Sequence, residues 1–175
     1  MNHADHVALI RAGVEGGGNA WADLGSGTGA FTLALADILG PRAIIHSVDL
    51  DLSALRRQAA DMAARFPEVR LVQQSANFNG PLDLPSLDGI VMANSLHFVA
   101  DKAPLLLSLV AHLRAGGRFV LVEYDADEGN PWVPYPLSFG SWIDLAAEVG
   151  LRQTRRLASV PSRFLGSIYS ALSLR

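Results

Sequence analysis

The sequence of 175 residues contains no cysteine, and this absence excludes a disulfide framework, a thiolate metal site and a cysteine nucleophile. Charged residues are also scarce, at 18% of the chain, with 14 Lys and Arg against 17 Asp and Glu. No basic stripe is present, so nucleic acid is not an expected partner.

Long apolar runs and a targeting signal are missing as well. Ser, His or Asp interrupts every apolar stretch well before the ~20 residues that a helix needs to span a bilayer. The first residues, Met1 to His6, lack the basic start and apolar run of a signal peptide. We therefore expect a cytoplasmic protein without a membrane partner.

Apolar residues, in contrast, are abundant. They make up 50% of the sequence and give it a mean hydropathy of +0.24. This composition excludes disorder as the main state and predicts a large core. At roughly 100–200 residues per domain, the length fits one domain over residues 1–175.

Short apolar runs alternate with amphipathic segments along most of the chain. We predict strands at residues 19–24, 43–48, 69–72, 87–92 and 118–123, and helices at 30–39, 52–66, 101–113 and 142–149. A further helix precedes the glycines at 16–18, and the last two runs, 152–160 and 164–174, predict an antiparallel hairpin. Strand–helix alternation of this kind is typical of an α/β fold, a parallel sheet with helices on both faces.

A glycine-rich turn, Asp23-Leu24-Gly25-Ser26-Gly27-Thr28-Gly29, follows the first predicted strand. Glycine permits a tight turn in which the backbone approaches a ligand with no Cβ in the way. Asp49 ends the second strand, 24 residues after Gly25, where a carboxylate can accept both hydroxyls of a ribose. Because ligands of parallel sheets bind at the carboxyl ends of the strands, the turn and the acid together predict a nucleoside cofactor.

Two classes of nucleoside cofactor fit this pattern. Gly25, Gly27 and Ala30 satisfy the Gly-x-Gly-x-x-Ala motif of a nicotinamide dinucleotide, NAD or NADP, and so of an oxidoreductase. An acid two residues before Gly-x-Gly-x-Gly suits S-adenosylmethionine, and Asp23 with Gly29 completes that pattern. Asp23 favours the second class, because a carboxylate suits a cationic amino-acid tail and repels a pyrophosphate. The C-terminal hairpin favours it too, since the dinucleotide fold usually continues with a parallel sixth strand.

On these residues the chain resembles a class I S-adenosylmethionine-dependent methyltransferase. The segments 21–32, 47–55, 87–99 and 113–124 are similar to successive motifs of that family, and the final helix and hairpin match its ending. The resemblance implies a three-layer αβα sandwich with a seven-stranded, mostly parallel sheet in the order 3-2-1-4-5-7-6, whose last strand is antiparallel. It also implies S-adenosylmethionine as the cofactor.

The resemblance further implies a role for each matching residue. Asp23 would approach the methionine amino group, Asp49 would hold the ribose hydroxyls and Leu50 would pack on the adenine. The other cofactor contacts would come from the turn (Gly25, Ser26, Gly27, Gly29), the adenine edge (Ala76, Asn77, Phe78) and the region of the methyl group (Asn94, Ser95). The family often has Asp where Asn77 stands, but an Asn side-chain oxygen can still accept from an adenine amino group.

Methyl transfer requires mainly the alignment of an acceptor with the reactive sulfonium. A general base is needed only where the acceptor must lose a proton. His97, after the fourth strand, is the candidate catalytic base, and Glu123 and Tyr124 at the end of the fifth strand are weaker candidates. The alternative is a purely structural role for these side chains, with His97 hydrogen-bonded in place and the other two packed at the strand end. No metal site is expected.

The segment 94–98, Asn-Ser-Leu-His-Phe, limits the class of acceptor. Enzymes of this fold that methylate amines of nucleic-acid bases carry Asn-Pro-Pro-aromatic there, so the resemblance is to small-molecule methyltransferases, including those of quinone biosynthesis. Residues 130–136, with Trp132 and Tyr135, predict either a lid over an apolar acceptor or a loop packed on the sheet. The chain is short for the family. Three options follow: a small open site, a site completed by the second subunit of a homodimer, or a non-catalytic protein that only binds the cofactor.

Overall fold

The computed structural model of the chain describes residues 1–175. The strands are β1 (Ala20–Leu24), β2 (Ile44–Asp49), β3 (Arg70–Ser75), β4 (Leu87–Ala93), β5 (Leu113–Tyr124), β6 (Arg152–Pro161) and β7 (Ser167–Leu174). The helices are α1 (His3–Val14), α2 (Ala30–Leu39), α3 (Leu52–Arg65), α4 (Ala103–His112) and α5 (Phe139–Glu148), and a 3₁₀ turn spans Leu96–Phe98. No helix is both long and apolar enough to cross a membrane.

All seven strands form one sheet in the order β3-β2-β1-β4-β5-β7-β6. The first five strands pair in parallel, and β7 runs antiparallel to both β5 and β6. The predicted C-terminal hairpin and the strand order implied by the family resemblance are therefore both confirmed. This order brings the carboxyl ends of β1, β2 and β4 side by side, where the predicted ligand site lies.

The core consists of two apolar clusters on opposite faces of the sheet. In β4 the side chains alternate, so that Ile90 and Met92 join one cluster while Val91 and Ala93 join the other. Helices α4 and α5 cover the first cluster, and α1 and α2 cover the second. Burial on both faces explains why residues 90–93 of β4 are all apolar.

Several predicted boundaries differ from the structure. Strand β3 ends at Ser75 instead of residue 72, because it is an edge strand whose last residues are polar and escape an apolar pattern. Helix α5 begins at Phe139, three residues before the prediction, because the Ser138 side chain caps it by accepting from the backbone N of Ser141. Strand β5 begins at Leu113 instead of residue 118, with a register shift against β4. Strand β7 begins at Ser167 instead of residue 164.

Candidate active site

The glycine turn joins β1 to α2 and has the backbone that its sequence predicts. Gly25, Gly27 and Gly29 have φ angles of 76°, 52° and 91°, in the left-handed region that side chains disfavour. A Cβ on Gly25 would overlap the Cβ of Ser95, whereas a Cβ on Gly27 would meet no atom within 4 Å. The centre of the turn thus faces open space, as a cradle for a ligand requires.

Asp49, at the end of β2, is held against this turn. Its Oδ2 accepts a hydrogen bond of 2.7 Å from the backbone N of Gly27, and its Oδ1 accepts one of 2.9 Å from the backbone N of Asp51. Carboxylate oxygens can each accept more than one bond, so lone pairs remain for two vicinal hydroxyls. The next side chain, Leu50, is 67% exposed and free to pack on a planar ring.

The segment after β3 lies next to Asp49 and extends to the turn. The backbone N of Ala76 donates to the carbonyl of Asp49, and Phe78 approaches Gly25 so closely that a Cβ there would lie 3.2 Å from its ring. Asn77 is exposed, and its Oδ1 accepts from the backbone N of Asn79 at 3.0 Å. One lone pair of that oxygen is therefore used within the loop, which leaves one for an external donor.

Asp23 lies beneath the turn and is almost fully buried. Its Oδ2 accepts a hydrogen bond of 2.6 Å from the Thr32 hydroxyl. Burial raises the pKa of Asp23 to about 7, the negative charge of Asp49 adds to this shift, and the Thr32 hydrogen bond opposes it. A cation bound beside Asp23 would favour the ionised carboxylate.

Sequence reasoning missed the buried polar side chains that support Asp23. Thr32 on α2 and Gln58 on α3 are both fully buried, and they hydrogen-bond to each other. The only signal in the sequence is that Gln58 interrupts the apolar face of α3 between Leu55 and Met62, both of which are buried.

At the end of β4, the structure places Asn94 and Ser95 beside the turn. Asn94 has a φ of 52°, uncommon outside glycine, and its Oδ1 is buried with no hydrogen-bond partner. The Ser95 hydroxyl donates to the carbonyl of Leu24 at 2.8 Å, which ties β4 to the start of the turn. The unpartnered Asn94 oxygen is an acceptor that a ligand with an N–H or O–H group could satisfy.

His97 and Glu123 form a buried pair on the opposite side of β4. The His97 Nδ1 lies 2.9 Å from Oε1 of Glu123, which also accepts from the backbone N of Tyr124. The backbone N of His97 donates to Oε2 of Glu123. Because carboxylate oxygens accept, Nδ1 is the donor, and Nε2 has no hydrogen-bond partner in the protein. None of these hydrogen bonds reaches the glycine turn.

We define an aromatic rim as the exposed side chains Phe98, Trp132, Tyr135 and Phe164, of which Phe98 has its ring centre 4.4 Å from that of His97. The backbone N of Tyr135 donates to the carbonyl of His97 at 3.0 Å, and Asn130 contacts the carbonyl of Phe164. Between 48% and 71% of each rim side chain is exposed. Residues 130–136 are therefore tied to the candidate base through the backbone of Tyr135, and they carry two exposed aromatic side chains, Trp132 and Tyr135.

Comparisons with known proteins agree with this geometry. A family model described as a methyltransferase domain matches residues 22–119. The chain is 29% identical over 117 residues to a probable cobalt-precorrin-6B C(15)-methyltransferase (decarboxylating) from Thermoplasma volcanium, covering 66% of this chain and 55% of that protein. It is 28% identical over 124 residues to the ubiquinone/menaquinone biosynthesis C-methyltransferase UbiE from Marinomonas sp., covering 70% and 49%. The chain thus spans about half the length of the curated relatives it matches.

Solved structures show the same fold. A SAM-dependent methyltransferase from Aquifex aeolicus superposes with a TM-score of 0.71 at 14% identity, over 99% of this chain and 98% of that one. The antiparallel β7 also disfavours the dinucleotide alternative, whose fold usually continues in parallel. The chain belongs to the methyltransferase domain family and has the fold of the class I S-adenosylmethionine-dependent methyltransferases, so S-adenosylmethionine is its expected cofactor.

Proposed function

We propose that this chain transfers a methyl group from S-adenosylmethionine to a small, apolar acceptor, and that His97 removes the proton that the acceptor loses. The observation that carries the proposal is the hydrogen bond from the backbone N of Gly27 to Asp49, which presents the acid at the edge of an open glycine cradle.

The cofactor fits the residues present. Asp49 would accept the ribose hydroxyls, the exposed Leu50 would cover one face of the adenine, and Asp23 would face the amino group. The remaining contacts would come from Gly25, Ser26, Gly27, Gly29, Ala76, Asn77, Phe78, Asn94 and Ser95. When bound, the cofactor supplies an electrophilic methyl group on a sulfonium.

The His97–Glu123 pair has the chemistry of an oriented base. With Nδ1 donating to Glu123, Nε2 can accept a proton, and the buried carboxylate stabilises the imidazolium that results. Such a base is useful for an O–H acceptor, whose oxygen becomes a better nucleophile on deprotonation. It adds little for a neutral amine, whose nitrogen already has a free lone pair.

The aromatic rim supports an apolar acceptor. Exposed aromatic side chains beside a polar catalytic pair are typical of pockets that bind planar, hydrophobic molecules. The two curated relatives are named a probable cobalt-precorrin-6B C(15)-methyltransferase and a ubiquinone/menaquinone biosynthesis C-methyltransferase, names that indicate small-molecule acceptors. We therefore favour an aromatic acceptor that carries an ionisable hydroxyl.

Transfer of a labelled methyl group to a panel of acceptors tests this proposal. Phenolic acceptors should be methylated, and simple amines should not. His97→Gln should lower kcat by about 10²-fold or more without changing the affinity for S-adenosylhomocysteine. His112→Gln is the matched control, because His112 only binds the Leu84 carbonyl away from the site. Cofactor binding without transfer to any acceptor would contradict the proposal and favour a non-catalytic role.

A further inference from the structure

A buried hydrogen-bond network lies directly under the glycine turn, and Gln58 is its centre. The side chain of Gln58 is fully buried although helix α3 otherwise directs apolar residues inward. Its Nε2 donates to the Thr32 hydroxyl at 2.9 Å. Its Oε1 accepts from the Ser47 hydroxyl at 2.7 Å and from Nε2 of Gln73 at 2.6 Å.

The direction of these hydrogen bonds is fixed from the backbone. Nε2 of Gln73 also donates to the carbonyl of Leu55 at 2.8 Å, and a carbonyl can only accept. The amino group of Gln73 therefore meets the oxygen of Gln58, and the amino group of Gln58 must point at Thr32. Since the Thr32 hydroxyl accepts that bond, its own hydrogen is free for Oδ2 of Asp23, 2.6 Å away.

A second arm of the network reaches the turn itself. The Ser47 hydroxyl uses its hydrogen on Gln58, so the bond of 2.7 Å between Ser47 and Ser26 has Ser26 as the donor. Gln58 also packs against the last glycine of the turn, because a Cβ on Gly29 would lie 2.5 Å from its Cγ. Gln58 thus contacts the turn directly at Gly29 and is connected to Asp23 through the Thr32 hydroxyl.

We propose that Gln58 is a positioning residue for the cofactor. Gln58 acts through Thr32 to hold the Asp23 carboxylate as an acceptor for the cofactor's amino group. This inference rests on the proposed function, which places that amino group at Asp23. Thr32 is the side chain that donates to Asp23, and Asp49 is the charged group facing it, with a repulsive effect. Without Gln58, the Thr32 hydroxyl is free to turn away, and the ionised carboxylate loses its oriented donor.

The network contributes to stability, because Gln58 satisfies the polar side chains of Thr32, Ser47 and Gln73. Its arrangement has a further consequence that an apolar side chain would not have: it selects the orientation of the Thr32 hydroxyl that points its hydrogen at Asp23.

Two ligands distinguish a specific effect on the amino-acid tail of the cofactor from a loss of affinity for the whole cofactor. S-adenosylhomocysteine carries the amino-acid tail, and methylthioadenosine has the same nucleoside without it. Calorimetric titration of Gln58→Met and of Thr32→Val should show S-adenosylhomocysteine bound about tenfold more weakly and methylthioadenosine less than about twofold more weakly. Thr32→Ser, which keeps the hydroxyl, should restore the affinity of the wild type.

Ser47→Ala is the matched control, because it breaks the arm to Ser26 and leaves the arm to Asp23 intact. It should change the affinities for both ligands by the same factor. The inference is overturned if Gln58→Met and Thr32→Val weaken the two ligands equally, or leave both unchanged. If Gln58→Met does not fold, Thr32→Val alone decides the question. A wild-type protein that binds neither ligand would refute the proposed function itself, which is a different result.

Discussion

Replacing Asp23 by Asn should stabilise the protein at alkaline pH and destabilise it at acidic pH. Asp23 is buried to 1% exposure, accepts from Thr32 and faces the negative charge of Asp49. Burial is the main reason why the pKa of its carboxyl rises from 3.8 to about 7. An Asn at this position has nearly the same shape, cannot ionise and can still accept the Thr32 hydrogen bond.

The sign follows from proton binding. Between pH 3.8 and about 7 the folded protein keeps a proton on Asp23 that the unfolded chain has lost, so stability falls as the pH rises through this window and then levels off. A shift of about three pKa units corresponds to about 4 kcal/mol at 1.36 kcal/mol per unit. Oδ1 of Asp23 has no hydrogen-bond partner in the protein, so the new N–H₂ group of Asn would be unpaired, which lowers the free energy of unfolding of the variant by about 1–2 kcal/mol at every pH.

Asp23→Asn should therefore be about 2 kcal/mol more stable than the wild type near pH 8 and about 1–2 kcal/mol less stable near pH 4. Urea unfolding followed by circular dichroism across this range measures the difference. Asp61→Asn is the control, because Asp61 lies exposed on α3 and makes no side-chain hydrogen bond. A difference between Asp23→Asn and the wild type that stays constant with pH would refute the assignment of a buried, protonated carboxyl. The variant should also bind S-adenosylhomocysteine more weakly.

Three further substitutions test separate parts of the site. Asp49→Ala should lower the affinity for S-adenosylhomocysteine by more than about tenfold with an unchanged circular dichroism spectrum, because we propose this carboxylate as the acceptor for both ribose hydroxyls; unchanged affinity would show that the acid is misassigned. Gly29→Ala should destabilise the protein by about 2 kcal/mol or more in urea unfolding, since its φ is 91° and its Cβ would meet Gln58 at 2.5 Å. Gly40→Ala is the control, because Gly40 also has a positive φ but a Cβ there would meet no atom within 4 Å. An equal loss of stability in the two variants would show that Gln58 moves away from the new methyl group without a cost in stability. Glu123→Gln should lower kcat by about 10²-fold or more because the imidazole loses its oriented tautomer; loss of cofactor affinity instead would indicate a structural role.

The parts of the fold that follow from the sequence are those in which a local pattern has one physical meaning. The second half of strand β4, residues 90–93, is apolar because both its faces are covered. The glycine turn was predictable because its positive φ angles admit few other residues. The edge strand β3 was predicted too short, because half-exposed polar residues such as Gln74 give no apolar signal.

The site was predictable only where residues stand next to each other in the sequence or at a motif spacing. Asp49 and the turn were matched in this way, and the structure places them in contact. The hydrogen bond between Thr32 and Gln58 was not predictable, because it joins two residues that are 26 positions apart on different helices and leaves no periodicity in the sequence. The pairing of His97 with Glu123 depends on the parallel register of β4 and β5, which no single strand reveals.

Calorimetric titration of the wild-type protein with S-adenosylhomocysteine and with NADPH tests the central claim most directly. The geometry at Asp49 and Gly27 predicts one molecule of S-adenosylhomocysteine bound per chain and no measurable binding of the dinucleotide. Binding of NADPH without binding of S-adenosylhomocysteine would contradict the assignment of this site to methyl transfer.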